Sequence, residues 1–457
     1  MNVASSSRST SGCVVVSRSA STVGRSIFWA TVIAWFLCSS DFDGSLEESR
    51  DDPQSVGYDT PVPLIRSDSY TTLLDATVEV TLRPTARLLT CPCGKRQPSV
   101  YDRRRRRWRH LDLGVKRLWL VNEIRRLNCP DCGVITEAVP WARPGSRFTR
   151  DFEDMVLWLA QRSDRTTVST LMRCAWESVT AIINRGVAEL LDKRRLQTLY
   201  RIGVDEICYR HPHRYLTIIG DHDTGTVVNI RPGRSEQSLT DFYTAQPDSM
   251  LKQIQAVSMD VSKPYIGATR SKVPEAIICF DGFHIMRWIN RALDAVFSEA
   301  AAGPDKVHMS SAQWRTTRWA LRTGENRLTD TKRELVNQIA KQNRRVGRAW
   351  ALKEQARDLY RYDHQPGVAR ALLKAWITAA KRCRIPAFVA LGKRLAVYFD
   401  GILAAIELGI SNALAESINA KIRLINARGY GHHTAETLTS MIYLCLGGLQ
   451  VKLPTRT

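Results

Sequence analysis

Between positions 199 and 299 the chain switches between strand-like and helix-like patterns in an order that few folds accept. "RIGVDEICYR" (Arg201 to Arg210) predicts a strand carrying Asp205 and Glu206. "RYLTIIGDHDTGTVVNIRPG" predicts two strands joined at the "DHDTG" turn, a hairpin signal. A helix is expected over Ser235 to Lys252. "IQAVSMD" is then a strand ending at Asp260, and "EAIICFD" a strand ending at Asp281, with a helix between them.

Three antiparallel strands, a helix, a strand, a helix and a further strand describe a ribonuclease-H-like α/β core. Its acidic residues fall on the first strand and at the ends of the later two. Carboxylates on neighbouring strands of one sheet can converge on divalent cations. Taken singly, each aspartate is better explained as a turn residue or helix cap.

A second stretch bears on the same chemistry. "SNALAESINAKIR" (Ser411 to Arg423) has helical period, with Leu414, Ile418, Ile422 and Ile425 on one face. Asn412, Glu416, Asn419 and Arg423 recur on the opposite face. A polar stripe is the ordinary state of a surface helix. It is also what a helix would need in order to add one carboxylate to a site on a sheet.

The formal net charge is +21, which calls for a polyanionic partner, nucleic acid first. The basic residues recur in separate places, including the run Arg103, Arg104, Arg105, Arg106 and Arg107. Eleven cysteines make no dense, even framework, but four form two close pairs, "CPCG" and "CPDCG". Cys91, Cys93, Cys129 and Cys132 therefore predict one structural zinc, although one residue between the first two is fewer than usual. From Leu111 the intervening segment alternates apolar and basic residues, as a small two-sided sheet would. "TVSTLMRCAWESVTAIINRGV" predicts a helix, a turn near Cys174 to Trp176, and a helix with Val179, Ile182, Ile183 and Val187 inward. That pattern fits a helix-turn-helix, and equally any three-helix packing. The apolar run "SIFWATVIAWFLC" is too short to span a bilayer and lacks a signal-peptide cleavage site. Residues 1 to 75 are expected to be a poorly ordered extension.

The order zinc knuckle, helix-turn-helix, "GVDE", "SMDVSKPY", "FDGFH", "SNALAESINAKIR" resembles the bacterial insertion-sequence transposases of the ISL-three type, with their DDE active site. The resemblance covers roughly residues 76 to 450. It implies Asp205, Asp260 and Glu416 as catalytic residues and ligands of two magnesium (or manganese) ions. "DGFH" matches the family's aspartate–two–histidine signature, making Asp281 and His284 supporting residues. Asn419 and Arg423 would contact phosphate or position the carboxylates. "TRWAL" and "AWALKE" match the helical insertion before the glutamate. Ala413 and Ser417 stand where the family usually has glycine, and are expected to crowd the approach of this helix to the sheet.

The implied organisation is an extension (1–75), a zinc-binding domain (76–145), a helix-turn-helix domain (146–196) and a ribonuclease-H-like domain (197–450) with its insertion at about 300–410. The implied activity is metal-dependent cleavage and strand transfer on double-stranded DNA. A homo-oligomer would hold element ends and target together, in the bacterial cytoplasm at the nucleoid, with no membrane partner. Two rival readings are an inactive transposase-derived DNA-binding regulator and a structure-specific nuclease on the same fold.

Overall fold

The computed structural model describes residues 65–73, 76–84, 91, 93, 99–191, 193–302, 309–361, 367–410, 413–432 and 434–454. Contacts divide them into two compact units, one running to Met155 with the C-terminal residues from Lys452, the other Val156–Val451.

The first unit is built on a sheet of β1 (Ile65–Leu73), β2 (Thr77–Pro84), β3 (Ser99–Arg109), β4 (Arg117–Cys129) and β5 (Gly133–Thr136). Its order is β1-β2-β4-β3, with β5 also on β4. β3 and β4 are the antiparallel ribbon expected of the arginine-rich segment. Its buried side is held by Trp108, Ile124 and Ala142, with Trp141 edge-on to Trp108 at 5.5 Å between ring centroids. β1 lies inside the stretch expected to be an unstructured extension. Its side of the hairpin with β2 runs from Ile65 opposite Pro84 to Leu73 opposite Thr77, so ordered structure begins before position 75. The rest of the expected extension, residues 1–64, lies outside the described residues.

Helix α1 (Arg150–Ala160) is followed by α2 (Arg165–Leu171) and α3 (Trp176–Leu190). Asp164 caps α2 by accepting the Thr167 N–H at 2.9 Å. Val179, Ile182, Ile183 and Val187 are buried, as the period of α3 predicts. The helix-turn-helix pair belongs to the same compact unit as the sheet that follows.

That sheet comprises β6 (Arg201–Arg210), β7 (Arg214–Asp221), β8 (Val227–Pro232), β9 (Ala256–Met259) and β10 (Ile277–Phe280), in the order β10-β9-β6-β7-β8. The first three strands are antiparallel neighbours, and β9 and β10 run parallel to β6. Short hairpins make antiparallel neighbours, whereas parallel neighbours require crossovers. The crossovers here are α4 (Glu236–Thr244) with the short α5 (Asp248–Leu251), and α6 (Lys263–Lys272). This is the strand order of a ribonuclease-H-like core. Leu239, Phe242, Tyr243 and Tyr265 cover one face over Val204, Val228, Val257 and Met259, all nearly inaccessible. Burying such side chains contributes about 1.5–3 kcal/mol each. The buried hydroxyls are satisfied, Tyr265 with Thr217 at 2.9 Å and Tyr243 with Thr269 at 3.2 Å.

Between β10 and the last two helices lies the helical insertion: α7 (Gly282–Ala302), α8 (Ser311–Arg322), α9 (Asp330–Gln342), α10 (Arg344–Asp358), α11 (Val368–Arg382), α12 (Pro386–Val397) and α13 (Phe399–Glu407). It shares one continuous core with the sheet. Lys353 is fully buried there, donating to the carbonyls of Leu321 and Thr323 at 2.8 Å, the loose C-terminal end of α8. The chain closes with α14 (Ala413–Arg428) and α15 (Ala435–Leu446); α14 lies on β6 and β7, and α15 packs on α3. Among the described residues no helix is long and apolar enough to cross a membrane.

Candidate active site

Three aspartates line up because β9 and β10 end level with the middle of β6. Val204 pairs with Met259, and Met259 pairs with Phe280. The next residue on each strand is acidic: Asp205, Asp260 and Asp281. Asp205 is half-buried, and its carboxyl is pushed up to about 7, first by burial and then by the charge of Asp260. The Glu206 N–H, donated to Asp205 Oδ1 at 2.8 Å, works in the opposite sense.

His284 holds the other two. Its Nδ1 lies 2.7 Å from Asp281 Oδ2 and 2.7 Å from Asp260 Oδ1. A ring nitrogen carries one hydrogen. That hydrogen is directed at Asp281, leaving Asp260 Oδ1 with a charge contact and no hydrogen bond. The two carboxylates push His284 up to about 10, so the ring is a cation at neutral pH. Asp281 also caps α7, accepting from the N–H groups of Phe283 (3.1 Å) and His284 (3.2 Å). The cap expected of an aspartate at this position is therefore present, and the same carboxylate also meets His284.

Helix α14 brings the next group. Asn419 donates through Nδ2 to Asp205 Oδ2 at 2.7 Å. The helix can come this close because β7 carries glycine at 220, where a Cβ would stand 2.9 Å from the tip of Ile418. The expectation of two opposite faces is corrected. Ala415, Ile418, Asn419, Ile422 and Ile425 are buried together, while Glu416 and Arg423 are exposed. At about 100° per residue, Asn419 lies at the border of the apolar arc and Glu416 some 60° beyond it. Glu416, one turn before Asn419, is exposed and lies about 120° round the helix from the centre of the buried arc, so of the described members of this stripe only Asn419 touches Asp205. Ala413 and Ser417 are exposed, so neither crowds the sheet. Asn412 lies outside the described residues.

The donor set fits hard divalent cations. Asp260 and Asp281 bring ligand oxygens within 4.8 Å of each other, with His284 beside them as a proton-bearing partner and not a ligand; Asp205 and Glu416 are not part of this cluster. Asp260 Oδ1 and Asn419 Oδ1 are buried oxygens without hydrogen-bond partners. Oxygen-rich, negatively charged and incompletely satisfied is what such a cation requires. Glu206, which the sequence reading left without a role, adds to the charge. It is half-buried on the other sheet face, pushed up by burial and by Asp260 and pulled back by Arg234 and His284. Its only signal in sequence was adjacency to Asp205.

The second candidate site is in the first unit. Cys91, Cys93, Cys129 and Cys132 bring their sulfurs within 4.8 Å of one another, so the short first pair is no obstacle. Cys93 and Cys129 are 3.7 Å apart, and all four are free thiols. Burial raises the Cys129 thiol, but the N–H groups of Asp131 and Cys132 outweigh it and hold the group at about 7. Cys132 is pushed up to about 12, chiefly by Cys93 and Cys91, as expected where thiols share too few protons. A metal that replaces those protons relieves the conflict.

Arg103, Arg104, Arg105 and Arg107 are exposed on edge strand β3, and Arg106 is half-buried. Arg103 meets Glu123 at 3.5 Å, and Arg105 and Arg107 meet Glu79 at 3.5 and 3.4 Å. Arg104 meets Asp102 at 3.6 Å, and Arg106 lies over the Trp108 ring. Such exposed pairs are worth about 0–1 kcal/mol, so they yield readily to phosphates.

Comparison with known proteins gives a consistent result. A DDE transposase model of the ISL3 type matches residues 202–442. The helix-turn-helix domain of transposase family ISL3 matches 137–187, and the zinc-finger of transposases IS204/IS1001/IS1096/IS1165 matches 88–132. The chain is 35% identical over 408 residues to the transposase for insertion sequence element IS1557 of Mycobacterium tuberculosis, covering 83% of this chain and 91% of that protein. It is 27% identical over 372 residues to the transposase for insertion sequence element IS1001 of Bordetella parapertussis, covering 79% and 89%.

Proposed function

The chain belongs to transposase family ISL3, a family of DNA transposases, and from that membership we propose how its residues divide the work. Asp205, Asp260 and Glu416 are the catalytic set and would hold two magnesium (or manganese) ions. Bound there, the ions supply a lowered water pKa and neutralise charge on the phosphate. Asn419 fixes the rotamer of Asp205. His284, a cation between Asp260 and Asp281, restrains Asp260 and limits carboxylate repulsion. Glu416 is exposed on α14 and would join the set when DNA is seated. The chemistry is in-line displacement at phosphorus. Water oxygen attacks at the element end and the 3′-oxygen leaves; that 3′-hydroxyl, losing its proton, would then attack a target phosphorus and expel the target strand's own 3′-oxygen, with no covalent enzyme intermediate.

The four cysteines would hold one structural zinc. Arg103 to Arg107 and Arg423 would neutralise phosphates, and α2 with α3 would dock on element ends. The domain limits that accompany this reading are 76–145, 146–196 and 197–450. Pairing two ends with a target requires a homo-oligomer, and the reading places it on the bacterial nucleoid.

The observation that carries this reading is the Asn419–Asp205 bond, because it joins the glutamate helix to the aspartate sheet. The test is a cleavage and strand-transfer assay on duplex element ends. Wild type should give both products with magnesium, and Asp205→Asn, Asp260→Asn and Glu416→Gln neither, with end binding retained. Cleavage by all three variants would overturn the assignment.

A further inference from the structure

The loop after α14 displays an aromatic ring in a way that packing does not explain. Tyr430 is 92% exposed, more than any other large apolar side chain among the described residues. It occupies the position after a helix end where glycine is the default, with φ +52°. A bulky residue there is disfavoured. Its neighbours are glycines that the geometry requires: a Cβ on Gly429 would lie 2.7 Å from the His432 ring, and Gly431 has φ +90°.

The pedestal is rigid. Asn426 donates to the Tyr209 carbonyl at 3.1 Å, at the end of the strand that carries Asp205, and His432 pairs with Asn426 at 3.1 Å. Arg428 donates to the carbonyls of Gln161 (3.0 Å) and Ala160 (3.4 Å), the last turn of α1 leading into the helix-turn-helix. Gly431 N–H closes on the Asn426 carbonyl at 2.8 Å. Asn426 is roughly 10 Å along the helix axis from Asn419, at about 1.5 Å per residue. The turn that carries the ring is therefore anchored both to the strand of Asp205 and to the helix that leads into the helix-turn-helix. Lys421 and Arg423 are exposed on the same helix, which favours a polyanion over an apolar partner.

We propose that Tyr430 is a DNA-contact residue that stacks on a base at an opened step of element-end DNA, between the helix-turn-helix footprint and the cut. Base–aromatic stacking tolerates any sequence and is a recurrent means of holding a distorted duplex. The inference rests on the DNA-end reading above.

The experiment uses the full chain and a duplex of the element's own terminal sequence, with 2-aminopurine placed at successive positions inward from the cut. Wild type should change the fluorescence at one or two adjacent positions. Tyr430→Phe should keep that change, and Tyr430→Ala should lose it, with end affinity falling roughly tenfold or more. Tyr430→Gly should lose it too, with Tm unchanged or raised because the backbone is relieved. A fluorescence change that persists in Tyr430→Ala overturns the proposal. So does a Tyr430→Ala effect confined to oligomeric mass, which would make the ring a contact between copies. Failure of wild type to bind the duplex at all would instead overturn the DNA-end reading, separating the two.

Discussion

Asn419 Nδ2 donates to Asp205 Oδ2 at 2.7 Å across 214 positions of sequence, tying α14 to β6. Asn419→Ala leaves a buried carboxylate oxygen without its donor, a loss of about 1–3 kcal/mol. Turnover should fall roughly 10–100-fold, as for other partners that orient metal ligands. The KM for end DNA should barely move. A KM change with kcat intact would mean that Asn419 binds DNA rather than orienting Asp205.

Glu416→Gln keeps the shape of the side chain and removes its charge. Because Glu416 is exposed, stability should change by less than about 0.5 kcal/mol. Cleavage and strand transfer should nevertheless fall by orders of magnitude. Combining it with Asp205→Asn should add little, since residues acting as one unit are not additive. Magnesium-dependent cleavage at wild-type rate would remove Glu416 from the site.

The raised pKa of Asp205 makes metal-free stability pH-dependent. An acid at about 7 in the folded chain and 3.8 unfolded binds its proton more tightly when folded. Its contribution is whole below about pH 4 and is lost as pH rises to 7, by up to roughly 1.4 kcal/mol per pH unit. Asp205→Asn should therefore raise Tm at pH 8 in EDTA and not at pH 4. Magnesium should stabilise the wild type at pH 8 and the variant far less. Equal Tm shifts at both pH values would contradict this.

Salt titration of end binding reads the arginine strand. Log affinity falls by about 0.9 per phosphate neutralised for each unit of log salt. Serine at Arg103, Arg105 and Arg107, the three that share a strand face and reach Glu123 and Glu79, should flatten the slope by roughly two to three. An unchanged slope would mean that β3 does not meet DNA.

The cysteine site should carry one zinc per chain, released with all four thiols by a chelator. Cys129→Ser removes the buried thiol that the backbone already favours as thiolate. Zinc should be lost and the first unit should melt at lower temperature, because metal affinity here is folding free energy. Full zinc content in Cys129→Ser would exclude that residue as a ligand.

Much of this was legible along the chain because it is periodic or local. The strands of the β6–β8 meander, the acidic ends of β9 and β10, the inward residues of α3 and the two cysteine pairs all follow from spacing that the backbone imposes. What misled was equally local reasoning carried too far. Residues before position 75 read as featureless because β1 is polar and its partner strand supplies the order. Ala413 and Ser417 were expected to press on the sheet, but α14 turns them to solvent. The polar stripe of α14 looked like one functional face, yet only Asn419 of its described members is buried.

Period and composition alone determine which segments are strands or helices, which faces are apolar, and that a chain of +21 charge needs a polyanion. Tertiary structure decided the rest. It chose which polar residue of α14 touches Asp205, gave His284 two carboxylates, and stood Tyr430 in water on a braced turn. The reason is range. Periodicity reports the backbone's own repeat over a few residues, whereas a charge–charge contact depends on the register and rotation of elements hundreds of positions apart. Those are set by the packing of whole faces, such as Ile418 over Gly220.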